Sequence, residues 1–228
     1  FHQRQEQPGP GAATGRGRRP VTHTLHRQGT EENLREDFVL LCLPAVGVND
    51  HGASAKLREF LKIALRHNPV NVGDPKTGNM YIYSVDDILS KMQDRTGAHA
   101  VFTDADTVAQ VLKEVKEADL GMSLVLSSLF DAAETCCRKA GLKRHTVEYS
   151  LGVWGKTEKL PPKDVLEVTT MCGHGMVSSE LVSSLAQDIK RGKLTAQDAA
   201  TELAKQCCCG IFNLVRATRL LSAMAKVV

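Results

Sequence analysis

The chain has 228 residues, of which 42% are hydrophobic and 24% charged. That is the balance of an ordinary globular protein, one large domain or one domain with a smaller unit attached, able to bury a core without staples. Aromatic residues amount to 4%, which excludes the stacking platforms of a single-strand nucleic-acid binder. The formal net charge of +3 is supplied by residues 1–20, where Arg4, Arg16, Arg18 and Arg19 face Glu6. The body is therefore neutral and offers no basic stripe for a phosphate backbone.

Residues 1–20 are Gly, Pro, Gln and Arg with almost nothing to bury, the composition of a disordered tail. From 21 to about 160, strand and helix patterns alternate. "VTHTLH" and "FVLLCLPA" read as strands. "SAKLREFLKIALRH" places Leu57, Phe60, Leu61, Ala64 and Leu65 on one helical face. "MYIYS" reads as a short strand, and "SVDDILSKM" as a helix capped by Ser84 with Asp87 at the third position. "HAVFTD" is a strand; "ADTVAQVLKEVKEADLG" is a helix with Val108, Val111, Leu112 and Val115 inward and Gly121 as its stop. "MSLVLSS" suits a central strand buried on both faces. "LFDAAETCCRKAG" is a helix and "TVEYSLGVW" a strand, with Trp154 as a core anchor at a domain junction. Strands separated by helices predict an α/β domain with a largely parallel sheet.

After "KLPPKD" every segment reads as helix, so residues 161–228 form a small all-helical unit. "PPKDVLEVTTMC" starts with prolines at a tolerated first turn. "SSELVSSLAQDIKRG" carries Leu181, Val182, Leu185 and Ile189 on one face, and "LTAQDAATELAKQ" opens with a Thr195–Asp198 capping box. In "NLVRATRLLSAMAKV", Asn213 is the cap and Leu214, Ala217, Leu221 and Met224 face inward.

The chemistry-bearing residues fall in two turns of that unit. Cys172 and His174 sit in "MCGHGMVSSE"; Cys207, Cys208 and Cys209 sit in "QCCCGIFN". An intervening helical hairpin brings the turns to one end. Alternate side chains, Cys172 with His174 and Cys207 with Cys209, turn toward one ion or cluster, Cys208 points away, and glycines permit the wrap. Placement just before helices predicts depressed thiol pKa values, since N–H groups and the macrodipole favour thiolate. From Met171 to Arg219 the pattern resembles the bacterioferritin-associated ferredoxin-like 2Fe–2S domain, in which Cys-x-Cys, a helical hairpin and Cys-x-x-Cys follow one another. His174 replaces that family's second cysteine, and the Cys207–Cys209 spacing is tighter. The resemblance implies an iron–sulfur cluster on Cys172, His174, Cys207 and Cys209. The donor set itself leaves open a Rieske-like His ligation, a 4Fe–4S cluster with an open iron, or a Cys₃His zinc.

The remaining cysteines read as core: Cys42 in an apolar strand and one of Cys136 and Cys137 in a helix. Odd number and clustering are unlike a secreted disulfide framework and place the chain in a reducing, cytoplasmic compartment. No apolar run reaches the roughly 18 residues of a membrane span, and no leader segment is read at the start. His23 and His26 face opposite sides of a presumed strand. Asn49, Asp50, His51, Asp74, Lys76 and Asn79 lie in Gly-rich loops that read as solvated turns or as the rim of a ligand crevice. No hydrolase arrangement stands out. The expectation is a metal protein, an iron–sulfur carrier with a redox partner or a cluster-dependent enzyme acting on a small molecule at the α/β loops. The alternative is a non-enzymatic binding module stapled by zinc. Deleting residues 1–20 is expected to leave the melting temperature unchanged within error; a drop of several degrees in a thermal scan would show that the tail packs.

Overall fold

The computed structural model describes residues 27–226; "VTHTLH", with His23 and His26, and the tail lie outside them. A short helix, α1 (Glu31–Leu34), is capped by the Thr30 hydroxyl, which accepts from the Asn33 N–H. It leads into β1 (Phe38–Leu43), buried over its first five residues. Phe38, Leu40 and Cys42 face one apolar cluster, Val39 and Leu41 another. That is the period-two alternation of a strand covered on both sides. There follow α2 (Ala53–Leu65), β2 (Asn71–Asp74), β3 (Gly78–Asn79), α3 (Val85–Lys91), β4 (Ala98–Phe102), α4 (Ala105–Ala118), β5 (Ser123–Ser127) and α5 (Phe130–Lys139). Ser84 caps α3 and Asp104 caps α4, each accepting from the third residue on. α4 stops at Asp119, which takes the left-handed conformation, two residues before Gly121.

The sheet order is β3-β2-β4-β1-β5, and every pairing among the described residues is antiparallel. The expected largely parallel sheet is therefore incorrect, for a topological reason. Helix α2 joins β1 to β2, and α4 joins β4 to β5; each pair runs in the same direction, as crossover helices require. Yet β4 lies between β1 and β2, and β1 lies between β4 and β5. Each crossover leaps one strand, and the two units interdigitate head to tail, the split β-α-β arrangement. Periodicity along the chain gives the crossovers but not which strand fills the gap.

Three further expectations are corrected. β5 is an edge strand, part-exposed, not central. "MYIYS" is a turn, and the hairpin instead uses the neighbouring Asn71–Asp74 and Gly78–Asn79. "TVEYSLGVW" forms no strand, and Trp154 is 81% exposed rather than a core anchor.

Helices α6 (Lys163–Thr169), α7 (Ser179–Lys190), α8 (Ala196–Gln206) and α9 (Leu214–Lys226) follow. Ser178 caps α7, and Thr195 with Asp198 forms a complete capping box on α8. Val165, Val182, Ala200, Leu203, Ala217 and Leu221 share a cluster with Val39, Leu41 and Val101 of the sheet. Helices α2, α4 and α5 cover the opposite face. The result is three layers, α/β/α, with the sheet in the middle. Among the described residues no helix is long and apolar enough to cross a membrane.

Where β1 begins, Asp37 is fully buried between two arginines. It forms ion pairs with Arg27 and, at 2.9 Å, with Arg216. The Asn213 amide donates to it at 3.1 Å. Burial alone would raise the Asp37 pKa, but the attraction of Arg27 and Arg216 outweighs it and holds the carboxyl below the usual range. A carboxylate depressed in the folded state contributes stability above its unfolded value of ~3.9 and loses that contribution as pH falls through the folded one. Asp37→Asn, which strands two buried guanidinium groups, is expected to cost about 3–5 kcal/mol in denaturant unfolding at neutral pH. It should also flatten the acid limb of the wild-type stability curve.

Candidate functional site

Both cysteine turns hang from the ends of helices. The Cys172 N–H bonds the Thr169 carbonyl at 3.1 Å, in the turn that closes α6. Cys207 is the C-cap of α8. The α7–α8 hairpin returns the chain so that the two turns meet. The Cys172 thiol hydrogen-bonds to Cys207. Cys207 Sγ lies 3.9 Å from Cys209 Sγ, and Cys209 Sγ lies 3.5 Å from His174 Nδ1. The three sulfurs belong to buried residues, His174 is exposed, and Cys208 is half-buried. Cys42 and Cys136 are buried in the cluster on the other face of the sheet, and Cys137 is half-buried.

The "CCCGIFN" turn is seated on the sheet by side chains that sequence reading placed in loops (Asn71, Asn79) or in a strand (His99). Asn79 Nδ2 donates to the carbonyls of Ala204 at 3.0 Å and Cys207 at 2.8 Å, closing the end of α8. Asn71 Nδ2 donates to Phe212 O at 2.9 Å. His99 Nδ1 lies 2.8 Å from Cys209 O. A carbonyl only accepts, so Nδ1 carries the proton. Burial lowers the His99 pKa to about 4, which keeps the ring neutral. Between these bonds the backbones touch: a methyl group on Gly73 would come within 2.8 Å of Cys209 O and Gly210 Cα. Gly210, at φ +74°, has both the conformation and the proximity that exclude a side chain. Arg27 then ties the turns to each other, its Nη2 donating to Met171 O at 3.0 Å and to Ile211 O.

The expected depressed thiol pKa values are incorrect for two of the three. Cys172 is raised, first by its hydrogen bond to Cys207 and then by burial. For Cys207 the bond to Cys172 acts downward, but the contact with Cys209 and burial push it up to about 12. α7 and α9 begin seven residues after Cys172 and Cys207 respectively, so neither thiol lies at a helix N-terminus that would favour its thiolate. As they stand, the four groups touch in series, and among the described residues no group of three or more His, Cys, Asp or Glu is arranged to hold a metal ion. A shallow pocket of about 370 Å³, with Cys172, Gly173 and Gly175 in its lining, opens beside the first turn.

The Gly-rich loops expose His51 and Lys76 but carry structural polar groups as well. Buried Asp50 pairs with Arg95 at 2.7 Å, and the Asn49 amide donates to Gly121 O at 2.7 Å. Buried Asp74 accepts from the Lys76 N–H, the Thr77 hydroxyl and the Thr96 hydroxyl. Asn71, Asn79 and His99 were missed as parts of the site because their role depends on a carbonyl more than a hundred residues away; apolar neighbours flanking a lone Asn were the available hint. No family model matches the chain, and no curated protein and no solved structure does either.

Asn79→Leu leaves the Ala204 and Cys207 carbonyls without this donor. The expected cost is about 1–3 kcal/mol in chemical denaturation, together with faster labelling of Cys207 by a thiol reagent.

Proposed function

We propose that Cys172, Cys207, Cys209 and His174 bind one soft metal ion of the zinc type, and that the protein is a non-enzymatic α/β module stapled by it. The observation that carries this reading is the unbroken series of contacts from Cys172 to Cys207, Cys209 and His174. Zinc bonds of ~2.3 Å to sulfur and ~2.0–2.1 Å to nitrogen give tetrahedral edges of ~3.8 Å between sulfurs and ~3.6 Å from sulfur to nitrogen. The separations of 3.9 and 3.5 Å match those edges. Rotation of side chains, not movement of the seated backbone, is what closes the set on an ion. Sulfurs in mutual contact favour a single ion over a cluster, whose iron–sulfide core separates its ligands. Because the Cys172 and Cys207 thiols are pushed up, uptake releases their protons and affinity rises with pH. The bound ion contributes to stability by linking the end of α6 to the end of α8.

The test is zinc titration of the full chain, followed by metal analysis. One equivalent per chain and a higher melting temperature are expected. Cys172→Ser, Cys207→Ser and Cys209→Ser should each abolish both effects, while Cys208→Ser and Cys42→Ser retain them. Iron with acid-labile sulfide after anaerobic purification would instead favour the iron–sulfur reading. A folded protein indifferent to either metal overturns both.

A further inference from the structure

Beyond α5 the chain leaves the core with an apolar pattern intact. In 146–154, Val147, Tyr149, Leu151 and Val153 alternate with Thr146, Glu148, Ser150 and Gly152, and Trp154 follows. This is the period of a strand with one apolar face, yet the segment pairs with no strand. Leu151 is 77% and Trp154 81% exposed, and Val147, Tyr149 and Val153 are about half exposed. Among the described residues, Tyr149 alone of these has an aromatic contact, edge-on to Phe130 with ring centroids 6.5 Å apart.

The surface that could receive such a strand lies alongside. β5 is an edge of the sheet, with no strand on its outer side among the described residues. It carries Leu124, Val125 and Leu126, all part-exposed. A groove of about 620 Å³ runs along it, walled by these residues and by Leu112, Val115 and Phe130. The chain's own residues 143–148 form one rim of the groove, so the same chain continues past it and carries Leu151, Val153 and Trp154 outward.

We propose that two copies of this chain associate through reciprocal exchange, segment 146–154 of each adding as a strand to the β5 edge and groove of the other. Ladder and groove belong to one chain, so a two-fold axis satisfies both at once and leaves neither edge open. At the exposures given, the five ladder side chains present on the order of 500 Å² of apolar surface, given ~150–250 Å² for a large aromatic. With two ladders and two grooves the total reaches the ~1,200–2,000 Å² of a stable interface. Glu148 is the one charge in the ladder, which suits an apolar self-partner. The inference is independent of the metal reading.

The test uses the full chain. Sedimentation across roughly micromolar to hundred-micromolar concentration, the range of a moderate interface, should give a dimer. Leu151→Asp with Trp154→Asp should give a monomer, and circular dichroism should be unchanged because both positions are exposed. Trp154 is the only tryptophan, so its emission reports the ladder directly: it should shift to the blue and resist quenching as wild-type protein dimerises, and stay red in Leu151→Asp. A monomer throughout, or a dimer unaffected by the double variant, overturns the proposal. So does a blue-shifted Trp154 in a monomer, which would mean that the segment closes its own groove. A shift that appears only with lipid vesicles would assign the ladder to a membrane and overturn it as well.

Discussion

One buried carboxylate holds together parts of the chain that are far apart in sequence. Asp37 at the head of β1 pairs with Arg27 and Arg216. Arg27 Nη2 reaches Met171 O and Ile211 O, and Arg216 reaches Gln28 O at 2.5 Å and the Asn33 side-chain oxygen at 3.0 Å, so the two arginines also bind groups beyond Asp37. Asn213, whose side-chain oxygen accepts from the Arg216 N–H, also donates to Asp37 and to Glu36 O. The start of the central strand, the start of α9 and both cysteine turns thus share one electrostatic anchor. Such a group is costly when half-satisfied and directional when satisfied, which is why it fixes one arrangement of helices on the sheet where apolar contact alone would tolerate several.

The sheet does more than support the helices. Its second face carries Asn71, Asn79 and His99, polar groups that end on carbonyls of the "CCCGIFN" turn. With Gly73 allowing close approach, the turn's backbone is held from below, and the freedom left to Cys207 and Cys209 is mainly that of their side chains. The split β-α-β topology itself says nothing about function.

Cys172 is pushed up by its bond to Cys207 and by burial, and Cys207 by its contact with Cys209 and by burial. A reactive, exposed thiolate is the opposite environment. The expectation of activated thiols came from counting forward to the next helix. The structure shows that each turn belongs to the helix behind it, with six residues between each cysteine and the next helix start.

Much of the local structure was written in the sequence. The cap at Ser84, the Thr195–Asp198 capping box and the inward faces of α2, α4 and α9 depend on neighbours three or four positions away, so the chain determined them by itself. Cys172, His174, Cys207 and Cys209 were legible as a set because two turns separated by a helical hairpin must end on the same side. What the sequence could not specify is which strands lie side by side. Crossover helices predicted parallel neighbours, and the interleaving of β4 and β1 made every neighbour antiparallel. Nor could it assign Asn79 or His99 to the cysteine turn, or Arg27 to both turns, since nothing local distinguishes a polar side chain in solvent from one that meets a carbonyl across the core. Those matches were decided only when β1 was covered on both faces, because burying a polar group without a partner costs more than any local preference supplies.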